Sequence, residues 1–596
     1  FPLPDNPVAS LPNQNNVVNE ADFNGVCPLA ANVVTYDVTA VLANDVLPNN
    51  LGVTIPDNQP VRGRNDNEGG PLNPAGGTLI HNRRGTVVPT VTIAEPGLPP
   101  EVFQGGTGPL NDPTAIMYVR TADLVPNPQN RQQQNQCNRG GTQNPDCPVL
   151  LADNAPVEPL VLRANAGDCI EVTLRNRLPD VAPDLAGWQD LQWVVNRDLF
   201  NNARPPQMHF FNNNLIRPSS HVGLHAQLVE YDVTRDDGTL VGSAELENLA
   251  PPGGETTYRW YAGDVAYVET APNTFEIVAT PIEFGAVNLL SADRVKQPQK
   301  GLFGSLVIEP AGATYPDTLA ELDAAGERVP DSQGSGNATR LTRAQVSVTS
   351  PAGDAGSGGA YREALMMNHR INNIRWADGS AVANIHQGEL GREGAEDSGH
   401  AGMNYGMEPS WFRFKLPPDV PFGNAGTPNS FGSVPNAHAM YANALVAGEP
   451  NAVPAIAGVS EAGDPATPVF MATAEGVANP VSDTRMHMLN GASTDRDGTF
   501  MLHGHLWQRD PFVCPGQSDL GLAGRCDPNE PVPSQALGLN LQAKYMGGQE
   551  GMGHSYGHWP FLFDAGGTDG ITGDYLYRDY SPSGNRNGVF GILRVE

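Results

Sequence analysis

Imidazoles are the side chains here whose types and spacing best suit chemistry, and there are 13 of them. In Thr499-Phe-Met-Leu-His-Gly-His-Leu-Trp507, His503 and His505 alternate. An extended chain puts alternate side chains on one face, so these two are expected to offer nitrogen ligands together. Upstream, His209, His221 and His225 fall within one block, with Met208 beside the first. Two or three imidazoles joined by a carboxylate would suit copper, zinc, manganese or iron. A hydrogen-bonded core histidine is the competing bland reading at each position. His554 and His558 have the i, i+4 spacing of a helical metal pair, but Gly553, Gly557 and Pro560 oppose a helix there. His487, between Met486 and Met488, reads as a strand residue with apolar neighbours, and His81, His369, His386, His400 and His438 as structural. Asp564, Asp569 and Asp574 lie among glycines and offer oxygens to calcium, without the EF-hand spacing. Asn337-Ala-Thr339 is a glycosylation sequon, and no Gly-x-Ser-x-Gly, phosphate loop or dinucleotide fingerprint is evident.

Strands must position these groups. Gly (66) and Pro (54) are frequent and helical periodicity is scarce, which favours short strands joined by turns and an all-β architecture. The run Leu160 to Arg175 reads as a strand, a Gly-Asp turn and a second strand, Glu255–Tyr261 alternates as a strand, and Gly304–Pro310 closes the unit. Residues 1–150 hold strand-like runs such as Val33–Leu42 within long Asn/Pro/Gly/Gln tracts. The run Gly301-Leu-Phe-Gly-Ser-Leu-Val-Ile308 resembles Gly588-Val-Phe-Gly-Ile-Leu-Arg-Val595, which suggests two copies of one β-sandwich type. The expected division is an N-terminal domain over 1–312 with a loop-rich extension to about 150, a linker over 313–343, and a C-terminal domain over 344–596. One short helix is expected near Pro316 to Glu327.

The chain of 596 residues carries a formal charge of −30, which opposes binding to nucleic acid and anionic membrane and favours cations. No apolar run is long enough to span a bilayer. Lysine occurs only at positions 296, 300, 415 and 544. Six cysteines without a C-x-x-C suggest disulfides. Cys137 with Cys147 and Cys514 with Cys526 look like local clips, leaving Cys27 and Cys169, one of 15 possible connectivities. A chain beginning at Phe1 is expected to have lost a signal peptide, so a secreted, extracellular or periplasmic setting is expected.

Four blocks (Leu160 to Arg175, Arg217 to Asp232, Glu255 to Pro310, Pro465 to Glu596) cover about half of the chain and resemble the multicopper oxidase superfamily. Its nearest flavour is the ceruloplasmin-like and bacterial manganese-oxidase-like branch. The resemblance implies tandem Greek-key, cupredoxin-like β-sandwich domains. It also implies a blue copper on two His, a Cys and an axial Met, and a trinuclear cluster on four His-x-His pairs. Placed on this sequence, the first pair falls at His225 and Gln227, and the second near Pro281–Gly285, where Glu283 is the strong ligand type. The third falls at Met501 and His503, with Gly498 upstream where a histidine belongs. The fourth, with its central Cys, falls at Arg578, Asp579 and Tyr580, and the axial Met at Val589. The blue site is therefore expected to be absent. His225 and His503 are expected to face each other across the domain interface, with His505 and His221 nearby and Glu283 or Asp579 adding a carboxylate. The last His of the motif is usually not a direct ligand.

Two function classes follow from these residues. One is a secreted multicopper-oxidase-like oxidoreductase with a reduced metal set, acting on metal ions or small molecules, with copper, another transition metal or calcium bound. The other is a non-catalytic extracellular protein that uses the scaffold for binding, self-assembly, attachment to a cell-surface partner, or metal sequestration.

Overall fold

The computed structural model describes residues 17–56, 70–94, 99–153, 155–185, 194–195, 210–211, 217–242, 248–320, 341–351, 359–371, 373–383, 400–418, 440–441, 469–474, 484–492, 498–508, 545–550, 558–567, 569–580 and 588–596. The chain is all-β, with only short helical turns among these residues. The first half builds two sheets. β1 (Val33–Leu42), β2 (Ile116–Arg120), β4 (Cys169–Asn176), β6 (Glu230–Tyr231) and β7 (Glu255–Tyr261) form one, in the order β2-β1-β4-β7-β6. β3 (Leu160–Asn165), β5 (His225–Ala226), β8 (Gly285–Leu290) and β9 (Phe303–Glu309) form the other, in the order β3-β9-β8-β5. Strand alternation lets each sheet turn one apolar face inward. Val38, Ala40, Ile170, Val172, Tyr258 and Trp260 from the first sheet meet Leu162, Val287, Leu289, Leu306 and Ile308 from the second.

The second half repeats this wiring. β10 (Gln345–Ser350), β11 (Gly359–Ile371), β14 (Thr484–Ala492) and β17 (His558–Phe563) form a sheet in that order, with β12 (His400–Met403) added to β11. β13 (Val469–Ala472), β15 (Thr499–Leu502), β16 (Gly548–Glu550), β18 (Gly573–Asp579) and β19 (Phe590–Val595) form its partner, in the order β13-β19-β18-β15-β16. β1 runs parallel to β4 as β11 does to β14, and β3 parallel to β9 as β13 does to β19. The two similar runs are thus β9 and β19, in equivalent places, each after a glycine with positive φ: Gly301 at 103° and Gly588 at 97°. A Cβ on Gly588 would lie 2.4 Å from the Glu408 backbone, so glycine is required there twice over.

Four layers result. The outer face of the first half's second sheet packs on the outer face of the second half's first sheet. Val161, Ala286, Phe303 and Val307 meet Leu365, Met367 and Leu489 there. Within the first 150 residues, β1 and β2 are strands of the first sheet. One expectation needs correcting. Leu319–Ala320, placed in a helix by composition, is a strand paired with Leu341–Thr342, and 321–340 lie outside the described residues. Disulfides join Cys27 to Cys169 and Cys137 to Cys147, and Cys514 and Cys526 lie outside the described residues. Among the described residues, no helix is long and apolar enough to cross a membrane.

Candidate metal site

His225 stands on the short edge strand β5 opposite Leu290. Its Nδ1 lies 2.8 Å from the Asp237 carbonyl and 3.2 Å from the Asp237 carboxylate, and its ring meets Tyr231 edge-on. His221 is exposed, its amide bonded to Ser219 Oγ. His209 lies outside the described residues.

His503 and His505 do not share a strand face. β15 stops at Leu502, and Gly504, at φ 74°, turns the chain into the left-handed region that glycine adopts without penalty. His503 is therefore exposed and His505 buried. Gly566 N–H donates to His505 Nε2 at 3.0 Å, so the ring proton is on Nδ1 and is donated to the His503 carbonyl at 2.9 Å. Phe563 and Tyr575 close over that ring. Both nitrogens of His505 are thereby committed to the fold. Partial burial, and then the Arg578 guanidinium, holds His503 below the usual histidine range. The same positive charge opposes a metal cation at its ring.

The other expected positions are also engaged. Asp579, in the thiolate position, accepts the Thr499 N–H at 3.0 Å. Gly498, in a histidine position, leaves room for that carboxylate: a Cβ there would lie 2.7 Å from Asp579 Oδ2. Arg578 donates to Tyr441 Oη at 2.9 Å. Glu283 is paired with Arg485 at 2.5 Å. It lies before the start of β8, whereas His225 is opposite that strand's far end. The length of β8, about 17 Å at the rise of an extended chain, separates them. Glu283 therefore cannot complete a site at His225. His225 and His503 do not face each other either, since β5 and β15 belong to the second and fourth layers. At ordinary sheet spacing that is about 20 Å, with a sheet between.

The second His-x-His position also moves. The first and third positions fall on equivalent strands, β5 and β15. The fourth lies on β18, whose equivalent is β8. Arg578 pairs with Phe590 as Leu290 pairs with Phe303. The counterpart of Arg578 and Asp579 is thus Leu290 and Ser291, and neither is an imidazole. Among the described residues, no three His, Cys, Asp or Glu side chains gather as a metal-holding group. Asp574, offered above to calcium, is paired with Arg594 at 2.8 Å.

Composition and spacing did not reveal the charged groups buried between the two halves. Arg163 on β3 sets one Nη1 between Glu309 of β9 and Glu363 of β11. Tyr361 Oη donates to Glu309 at 2.8 Å, and His487 Nε2 meets Glu363 at 2.8 Å. Burial and the neighbouring Glu363 push Glu309 up to about 8, while Arg163 and His487 hold Glu363 well below the usual range despite burial. The available signal was a charged residue at an apolar-strand position, such as Arg163 in Leu160–Asn165. His487 is thus structural, as its neighbours suggested. His81, His369 and His400 are likewise buried on backbone partners, and His386, His438 and His554 lie outside the described residues.

No family model matches this chain, and neither does any curated protein. Solved structures do match it. A multicopper oxidase aligns at 12% identity and TM-score 0.28, covering 74% of this chain and 79% of its own. The copper nitrite reductase of Nitrosomonas europaea aligns at 10% identity and TM-score 0.29, covering 74% and 85%. The blue copper oxidase of the same organism aligns at 10% and 0.29, covering 73% and 76%. At these scores the likeness carries no argument, and the fold description rests on the sheet wiring.

Proposed function

We propose that this chain is a secreted, non-catalytic protein that uses a cupredoxin-like scaffold for binding or assembly. One observation carries the reading: Asp579 and Arg578, where the resemblance expects copper ligands, are already bound into the fold. Asp579 bonds the Thr499 amide and Gly498 makes room for it. His505 is saturated by Gly566 and His503. A blue centre needs a thiolate, and Asp579 cannot supply the sulfur that collects electrons from a substrate. Two disulfides support an oxidising compartment, and the charge of −30 supports a surface that attracts cations.

The competing reading, an oxidoreductase with a reduced metal set, is favoured by the exposed ring of His503. Metal analysis of protein purified from its native source, with turnover assays on phenols, Fe(II) and Mn(II), separates the two. The proposal expects substoichiometric transition metal, no oxidation, and a species larger than one chain or bound to a surface partner. A monomer with stoichiometric copper, whose turnover is lost in His503→Ala, would overturn it.

A further inference from the structure

Two of the four lysines, Lys296 and Lys300, are buried, although lysine is among the residues least often found inside. Both reach one carboxylate. Lys296 Nζ lies 2.8 Å from Asp184 Oδ2, and Lys300 Nζ lies 3.2 Å from Asp184 Oδ1. The side-chain amide of Asn373 approaches the same carboxylate oxygen at 3.1 Å. Lys300 and Asn373 also share a second acceptor, Thr114 Oγ1, at 2.8 and 3.0 Å. Two common acceptors hold the amine and the carboxamide side by side. Lys300, Asp184, Asn373 and Thr114 are all buried. They come from four parts of the chain: Lys300 ends the turn before β9, Asp184 follows β4, Thr114 precedes β2, and Asn373 follows β11 in the other half. Asn373 is held at φ 58°.

Lys296, Lys300 and Arg375 are buried with the carboxylates Asp184 and Asp112, and burial pushes Asp112 up to about 6. A neighbouring cation is a recognised way to make a lysine amine nucleophilic.

We propose that Lys300 and Asn373 become joined by an intramolecular amide bond that the protein forms by itself, with Asp184 carrying the proton. The neutral Lys300 amine attacks Asn373 Cγ and a C–N bond forms. The Asp184 carboxylate takes the proton from Nζ and passes it to Nδ2. The Cγ–Nδ2 bond breaks and one ammonia leaves. The step consumes no oxidant and no cofactor. Fixed orientation in a dry pocket supplies the rate, as it does for other intramolecular reactions. The product would tie the first half to the second covalently, independently of both disulfides.

Mass spectrometry of the intact full-length chain tests this directly. The expected mass is lower than that of the disulfide-bonded sequence by one ammonia. A branched proteolytic peptide should join Lys300 to Asn373, with no tryptic cut after Lys300. Lys300→Arg, Asn373→Ala and Asp184→Asn should each restore the full mass, and Lys296→Arg should keep the loss. The wild-type mass decides the matter even where a variant fails to fold. A full wild-type mass, a branch at Lys296, or an ammonia lost from an unbranched peptide would each overturn the proposal.

Discussion

Gly498 and Asp579 cannot be exchanged independently. The carboxylate of Asp579 occupies the space a Cβ at 498 would need and satisfies the Thr499 amide. Gly498→Ala should therefore destabilise by about 1–3 kcal/mol, the cost of an amide left without its partner. In an Asp579→Ala background the same change should cost less, and a double-mutant cycle on urea midpoints reads that coupling. Equal costs in both backgrounds would dissociate the two positions. His505→Ala removes a buried ring that uses both nitrogens, so a loss of about 2–4 kcal/mol is expected whether or not a chelator is present. A loss seen only in metal-loaded protein would make His505 a ligand instead. Residue types marked this region as chemically unusual. They could not say that Gly504 reverses the chain between the two histidines, because φ at a glycine is set by its neighbours.

Among the elements, β3, β9 and β11 meet at the carboxyl pair shared by Arg163. Glu309 is raised to about 8 from an ordinary 4.5, so across that interval the folded chain holds a proton that the unfolded chain has released. Stability must then fall as pH rises from about 4.5 to 8, by up to about 1.4 kcal/mol per pH unit. Glu363 is depressed, so its contribution is present above the usual glutamate range and is lost as pH falls below it. The pair alone places maximum stability near pH 4–5. Denaturant midpoints between pH 5 and 8 should decline in the wild type and flatten in Glu309→Gln, and parallel profiles would refute the assignment. Strand positions and the equivalence of β9 and β19 were legible because alternation and the shared Gly-x-Phe-Gly run depend on local order. The meeting of Arg163 with Glu363 was not. Alternation tells which side chains share a face but not which sheet covers that face.

For the whole molecule, the order of the layers decides the functional reading. His225 in the second and His503 in the fourth layer lie with a sheet between them, whatever motif either belongs to. The apolar junction, the Arg163 pair and the bonds of Asn373 to Thr114 and Asp184 all bind the halves together. A further apolar cluster joins Val88 and Leu110 of the first half to Trp376, Trp411 and Phe412 of the second. The halves should therefore unfold in one calorimetric transition. Trp376→Ala should lower that transition as a whole, with a loss of about 3–5 kcal/mol. Two separated transitions would show the junction to be weak.

The engagement of the positions where copper ligands were expected is tested most directly by Cu(II)-dependent stability. A ligand that binds the folded chain at a hundred times its dissociation constant adds about 2.7 kcal/mol. Full-length protein, stripped with chelator and titrated with Cu(II), should keep its melting temperature and show no thiolate charge-transfer band. A saturable rise in melting temperature at one equivalent of copper, abolished by His503→Ala and unaffected by His221→Ala, would contradict the account.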